Sequence, residues 1–166
     1  MKTTKILIIL LILSLSCFRA HTHDGHKKDI IETAIYGGVF KTLISAIKAT
    51  DLVDTLRSKG QFTVFAPTDE AFEKLPKGTV ESLLRPENKK RLTDFLKNHV
   101  IKARVPVKKI TNGSARLIML NKKHAILSSK DGKVTINKAN VLKADMMAKN
   151  GIIHIINEVL LPLEEK

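Results

Sequence analysis

The first half of the chain carries its apolar residues at helical spacing. Ile30, Ile31, Ala34 and Ile35 share one face behind Asp29, which is placed to cap them, and Gly37-Gly38 interrupts the pattern. Phe40, Leu43, Ile44 and Ile47 then recur at i, i+3, i+4 and i+7, the mark of an amphipathic helix. A further turn of helix around Leu52, Val53 and Leu56 ends at Gly60. QFTVFA breaks this rhythm: β-branched and aromatic residues between Gly60 and Pro67 predict a buried strand. TDEAFEKL returns to helix. Thr79 is placed to cap another that runs through Leu83 and Leu84 to Pro86, and Leu92, Phe95, Leu96, His99 and Val100 form the stripe of one more.

The second half changes period. VPVKKI, SARLIML, KHAILSS, KVTINKANVLKAD and GIIHIINEVLL read as short β-rich runs. They are separated by Asn112-Gly113, Asn121-Lys122-Lys123 and Asp131-Gly132, and the Asn-Gly and Asp-Gly pairs are hairpin signals. Helices first and antiparallel strands afterwards predict an α+β fold. No internal repeat is visible, so residues 29–163 are expected to form a single domain.

FTVFAPTDEAF, residues 62–72, sets two carboxylates side by side, and Asp69-Glu70 is where an enzyme would hold an acid and a base. Local structure accounts for every residue without chemistry. Pro67 has no N–H and should end the strand ladder. Thr68 offers its hydroxyl as an N-cap, and Asp69 and Glu70 then meet the positive end of the helix dipole. Pro67 and Phe72 are spaced to close over the cap as a hydrophobic staple. Neighbouring helical positions point about 100° apart, which suits two groups poorly for one substrate. No catalytic residue and no cofactor is assigned, and neither a Gly-rich phosphate loop nor a nucleophile elbow occurs elsewhere.

The charge balance points to partners. The 166 residues carry a formal net charge of +13, which draws a chain to anionic surfaces such as acidic polysaccharide, matrix or membrane headgroups. Nucleic acid is not expected, because Tyr36 is the only tyrosine and no aromatic series lies beside the lysines. Residues 1–20 read as a signal peptide: basic MKTTK, apolar ILIILLIL and the small and polar residues of SLSCFRA. Eight apolar residues are too few to span a bilayer as a stable helix. A cut after Ala20 and a cut after Ser16 both stay open. The second would leave Cys17 first, where a bacterial lipoprotein carries its acylated cysteine, making Cys17 a candidate lipidation site and membrane attachment. The first discards the chain's one cysteine with the signal, and with it any disulfide or thiolate chemistry. Residues 21–28 form a flexible lead-in. Its His21, His23 and His26, with Asp24, would suit Cu²⁺ or Zn²⁺, so an envelope metal-binding protein is the alternative function. The expected location is periplasmic, cell-surface or extracellular, and a monomer is favoured.

Two blocks carry a resemblance. FTVFAPTDEAF resembles the first signature block of fasciclin-type domains, and NGIIHIINEVLLP, residues 150–162, resembles the second. FLKNHVI is similar to the family's tyrosine-histidine segment, with His99 as the histidine, and KADMMAKNG to the segment that leads into the second block. The similarity covers the chain after Lys27, with the blocks in family order. It implies a fasciclin-type fold, a curled β-sandwich or wedge with helices packed around it. It also implies an exported, non-enzymatic binding or cell-adhesion module for a protein or polysaccharide partner. By family position the partner-binding residues are His99, Asp145 and Met146, and Gly151 and His154 belong to the structural second block. The sequence departs from the pattern twice: Asn98 replaces the tyrosine, and Asp145-Met146 replaces an Asp-Ile pair. Both departures point away from integrin-type recognition and leave a general adhesive role. The residues themselves give His99 and His154 another reading, as core histidines whose ring nitrogens are satisfied by hydrogen bonds. His124, beside Lys122 and Lys123, reads as solvated.

Overall fold

The computed structural model describes residues 28–110 and 113–161. Cys17, His21, His23, His26 and Asn112, and every expectation attached to them, lie outside the described residues.

The first helices form where the apolar period placed them. Helix α1 (Ile30–Gly37) opens with a reciprocal capping box: the Asp29 carboxylate accepts from the Glu32 N–H and the Glu32 carboxylate from the Asp29 N–H. It closes on Gly38 at φ 75°, a left-handed position that glycine adopts freely. Helices α2 (Lys41–Lys48) and α3 (Leu52–Arg57) follow, then α4 (Asp69–Glu73), α5 (Thr79–Leu83) and α6 (Lys89–Lys97). Two helix boundaries differ from expectation. Gly78, at φ 81°, occupies the N-cap of α5, so Thr79 is its first residue and makes no cap bond. Helix α6 stops at Lys97, two residues before His99. Val100 is by then paired with Val64 in the sheet, where β-branched residues pack well.

Among the described residues seven strands run in the order β2-β1-β7-β6-β5-β4-β3. They are β1 (Phe62–Pro67), β2 (Val100–Ile101), β3 (Gly113–Ile118), β4 (His124–Lys130), β5 (Lys133–Ile136), β6 (Ala139–Ala148) and β7 (Gly151–Ile156). All neighbours are antiparallel except β1 and β7, which join the two ends of the domain in parallel. Asp131-Gly132, at φ 51° and 75°, turns β4 into β5 as the Asp-Gly pair predicts. VPVKKI, expected as β-structure, instead folds into a 3-10 turn over Val107–Lys109, because the Asp145 carboxylate accepts from the N–H groups of Val107 and Lys108. Strand β1 ends at Pro67, the position expected to close its ladder. Pro67 lies in register with Ile156, and the Thr68 N–H still donates to the Ile156 carbonyl. Alternate residues of β1 donate to opposite neighbours. Proline falls on the parity of Phe65, which donates to His99, and β2 has ended by then, so no hydrogen bond is lost.

The paired strands β1 and β7 are buried on both faces and divide two cores. Phe62, Val64, Ala66 and Ile153 face the helices, packing with Phe40, Leu43, Leu56, Leu92 and Leu96. Phe65 and Ile156 face the other way and meet Leu127 of β4 and Ile136 of β5. Strands far apart in the sheet order share that second core because the sheet curls upon itself. The bend lies in β6, which pairs with β5 through Ala139 and Asn140 and with β7 from Val141 on, with register shifts on both sides of Lys143. The result is an α+β domain built on one strongly curled sheet.

Candidate functional site

The bulged part of β6 carries two of the three positions proposed for partner contact. Asp145 takes a left-handed conformation, φ 56°, uncommon for a residue with a side chain. Its surroundings hold it there. The Asp145 N–H donates to His154 Nδ1 at 3.1 Å, and its carboxylate accepts from the N–H groups of Val107 at 2.8 Å and Lys108 at 3.2 Å. His154 is fully buried and stacks on Phe65, ring centroids 5.2 Å apart. Its Nδ1 accepts the Asp145 amide, so Nε2 carries the proton and donates to the Val105 carbonyl at 2.9 Å. Burial pushes the His154 imidazole below its ordinary pKa, against smaller upward effects of the Val105 carbonyl and the Asp145 charge. The contact between His154 and Asp145 is therefore one of a neutral ring with a carboxylate already satisfied by amides. Met146, next in the strand, is half-buried and packs towards the helices. The residues that β6 shows to solvent are Asn140 near its start and, in the bulged part and beyond, Leu142, 61% exposed, Lys143 and Met147, 38% exposed.

His99 lies elsewhere, in the turn between α6 and β2, and is 1% exposed. Its Nδ1–H donates to the Phe95 carbonyl and its Nε2 accepts the Leu160 N–H, each at 2.9 Å. Burial drives its pKa down to about 4, with the Phe95 carbonyl opposing weakly, so the ring is neutral. Asn98 completes the arrangement. Its side-chain amide donates to the Leu160 carbonyl at 2.8 Å and its Oδ1 accepts from Asn121 at 3.1 Å. Asn98 and His99 thus grip both backbone groups of Leu160. The fold does not bring His99 to the β6 surface; its side chain is spent on holding α6 to the C-terminal segment.

The adjacent carboxylates of residues 69–70 also divide. The Thr68 hydroxyl accepts from the Ala71 N–H at 3.3 Å, capping α4, and both Pro67 and Phe72 are buried. Asp69 serves a different helix. Its carboxylate accepts from the N–H groups of Lys41 at 3.2 Å and Thr42 at 2.8 Å, at the start of α2, whose own N-cap residue Phe40 has no side-chain acceptor. Burial raises the Asp69 pKa, but the amide and hydroxyl of Thr42, the amide of Lys41 and the Lys41 charge outweigh it, and the net shift is downward. Glu70 points to solvent. Among the described residues no three His, Cys, Asp or Glu side chains cluster in a way that would hold a metal ion. No helix there is long and apolar enough to cross a membrane.

Sequence reasoning missed Asp69 as the cap of α2 and Asn98 as half of the Leu160 clamp. The partners lie 27 and 62 residues away along the chain, so no local signal marks them.

A family model described as Fasciclin domain matches residues 38–162. Protein sll1483 of Synechocystis sp. is 47% identical over 133 residues, covering 80% of this chain and 73% of that protein. Transforming growth factor-beta-induced protein ig-h3 of Sus scrofa is 42% identical over 127 residues, which cover 76% of this chain but only 18% of that much longer protein. Among solved structures, a FAS1 domain pair from the insect cell adhesion molecule fasciclin I superposes with a TM-score of 0.61 at 25% identity, over 75% of this chain and 46% of that one.

Proposed function

Because the chain belongs to the fasciclin domain family, we propose that it is an exported, non-enzymatic binding and cell-adhesion module. It recognises a protein or an acidic polysaccharide of the cell envelope or matrix, and the bulged part of β6 is its recognition surface. One observation carries this reading. The bulge presents Leu142, Lys143 and Met147 to solvent while partly buried hydrogen bonds of Asp145 and His154 fix its backbone. A surface held in shape before binding loses little entropy on contact. Exposed leucine and polarizable methionine suit a protein partner, and Lys143 with the chain's +13 charge favours an acidic one. Of the family-position residues, Met146 contributes the half-buried edge of the contact and Asp145 sets its shape. The saturation of His99, Asp145 and His154 by backbone groups supports recognition over catalysis, since none has a free basic or acidic atom aimed at a substrate.

The test is adhesion. Beads coated with the mature protein should retain cells of the producing organism or beads bearing alginate, in preference to beads bearing dextran. Replacing both Leu142 and Met147 by Ser should cut retention about tenfold, equivalent to ~1.4 kcal/mol, without moving the unfolding midpoint. Undiminished retention by that double variant would show that the bulge is not the surface.

A further inference from the structure

A cleft of about 650 Å³ lies on another face of the domain, between α5, α6, the β3–β4 turn and the segment that follows β7. That is the size of pockets that hold small organic ligands. Leu75, Leu83, Phe95 and Leu161 supply its apolar surface. Leu161 is 60% exposed. Three cations line the same cleft, each from a different segment: Lys77 ahead of α5, Arg91 on α6 and Lys123 in the β3–β4 turn. Among the described residues Asp94 is the one carboxylate there. Among the described residues none of the three cations forms a salt bridge, although Arg57, Arg85 and Lys89 elsewhere do.

The walls are tied together. His99 and Asn98 grip the N–H and carbonyl of Leu160, immediately before Leu161. The same His99 ring accepts its other constraint from Phe95, to whose carbonyl it donates, with the two rings 5.1 Å apart. Asn121 donates to the backbone of Asp94 and to Asn98, which fastens the β3–β4 turn against α6. The buried polar groups around His99 therefore hold an apolar floor and a cationic rim in a fixed relation.

We propose that this cleft is a binding site for a free single-chain amphiphilic carboxylate. The alkyl chain lies on Leu83, Phe95 and Leu161, and the carboxylate sits among Arg91, Lys123 and Lys77. An apolar floor alone would take any hydrocarbon, and lysines alone would take any anion; the combination selects both in one molecule. The site is separate from the β6 bulge and stands whether or not the bulge is adhesive.

Decanoate, below its micelle concentration, is the probe. It should shift the backbone amide signals of Leu83, Phe95, Asn121 and Leu161 in ¹⁵N-resolved spectra of the mature protein, saturably. 1-Decanol and decylamine should bind about tenfold more weakly or worse. Arg91→Gln with Lys123→Gln should weaken decanoate about tenfold at low ionic strength, because both charged contacts are lost. Thr79→Trp should narrow the cleft and weaken binding with the spectrum otherwise folded. Any of three results overturns the proposal: no saturable shift by about 1 mM, the weak limit of a useful site; equal binding of decanol; or shifts induced only by phosphatidylglycerol vesicles, which would make this a membrane contact.

Discussion

Asp69 offers the sharpest test of how the fold is assembled. Its carboxylate receives the first two amides of α2, Lys41 at 3.2 Å and Thr42 at 2.8 Å, and its own N–H donates to the Val39 carbonyl. Asp69→Ala removes both acceptors and leaves two helix-start donors with water alone. Loss of an N-cap costs about 0.5–2 kcal/mol, and hydrogen bonds to a charged group contribute towards the upper end, so about 2 kcal/mol is expected. For a domain of this size that is a fall of roughly 6 °C in thermal midpoint. Asp69→Asn retains one acceptor oxygen and should lose about half as much. Urea unfolding at neutral pH measures both, with Glu70→Ala, which removes an exposed charge from the start of α4, as the neighbouring comparison that should shift the midpoint less. A pH series adds a second reading. The folded-state pKa of Asp69 is depressed, so its stabilisation is complete above the unfolded carboxylate value of about 3.9 and is lost as pH falls below it. The Asp69→Asn variant should lack that acid-side loss. If Asp69→Ala and Glu70→Ala proved equally silent, the link from α4 to α2 would be structurally idle and the reasoning about this segment would fail.

Two further outcomes follow from the same geometry. A Cβ at Gly151 would run into the Phe62 carbonyl at the first register pair of β1 and β7, so Gly151→Ala should destabilise by about 3 kcal/mol or more, measured by urea unfolding; a change within ~0.5 kcal/mol would contradict that packing. His99, buried with a folded pKa of about 4, stays neutral while the unfolded chain takes up a proton near pH 6.5. The His99 contribution to stability should therefore be level above 6.5, fall by about 3 kcal/mol between 6.5 and 4, and flatten below, with His154 adding a loss of the same sign; His99→Gln should remove the His99 share of that slope.

The helices of the first half were legible because each buries one face, so 3.6-residue spacing records the burial directly. Their ends were less so. Gly78 rather than Thr79 caps α5 because a left-handed backbone, invisible in the hydrophobic pattern, brings the chain out of the preceding turn. The pairing of β1 with β7 was beyond reach for another reason. It joins residues nearly 90 apart, and a run such as GIIHII, apolar on both faces, says that a strand is central without saying what lies beside it. The 3-10 turn at Val107–Lys109 is imposed by the Asp145 carboxylate, 38 residues on, and overrides a local composition that favours strand. The core reading of His154 and His99 was available because each sits among aliphatic residues. That His99 ties α6 to Leu160 was not, since its partner is a backbone N–H with no side-chain signature.

Two of the three positions that family resemblance marks for recognition, His99 and Asp145, thus spend their side chains on hydrogen bonds inside the domain. Each side chain acts on the backbone of another segment: His99 on Leu160, Asp145 on Val107 and Lys108. Replacing either would disturb a surface it does not itself form, the cleft wall at Leu161 in one case and the β6 bulge in the other. Lost binding in a His99 or Asp145 variant is therefore no evidence of contact, because displaced backbone would produce it as readily as a missing side chain. The discriminating substitutions are at exposed neighbours: Leu142 and Met147 on the same strand as Asp145, and Arg91 and Lys123 around the cleft that His99 supports. If those variants keep full stability and lose binding, recognition belongs to the surface and the buried pair only shapes it. If they bind normally while His99→Gln or Asp145→Asn does not, and the unfolding midpoint is unchanged, the buried side chains must become exposed during recognition, and the fold opens when it engages its partner.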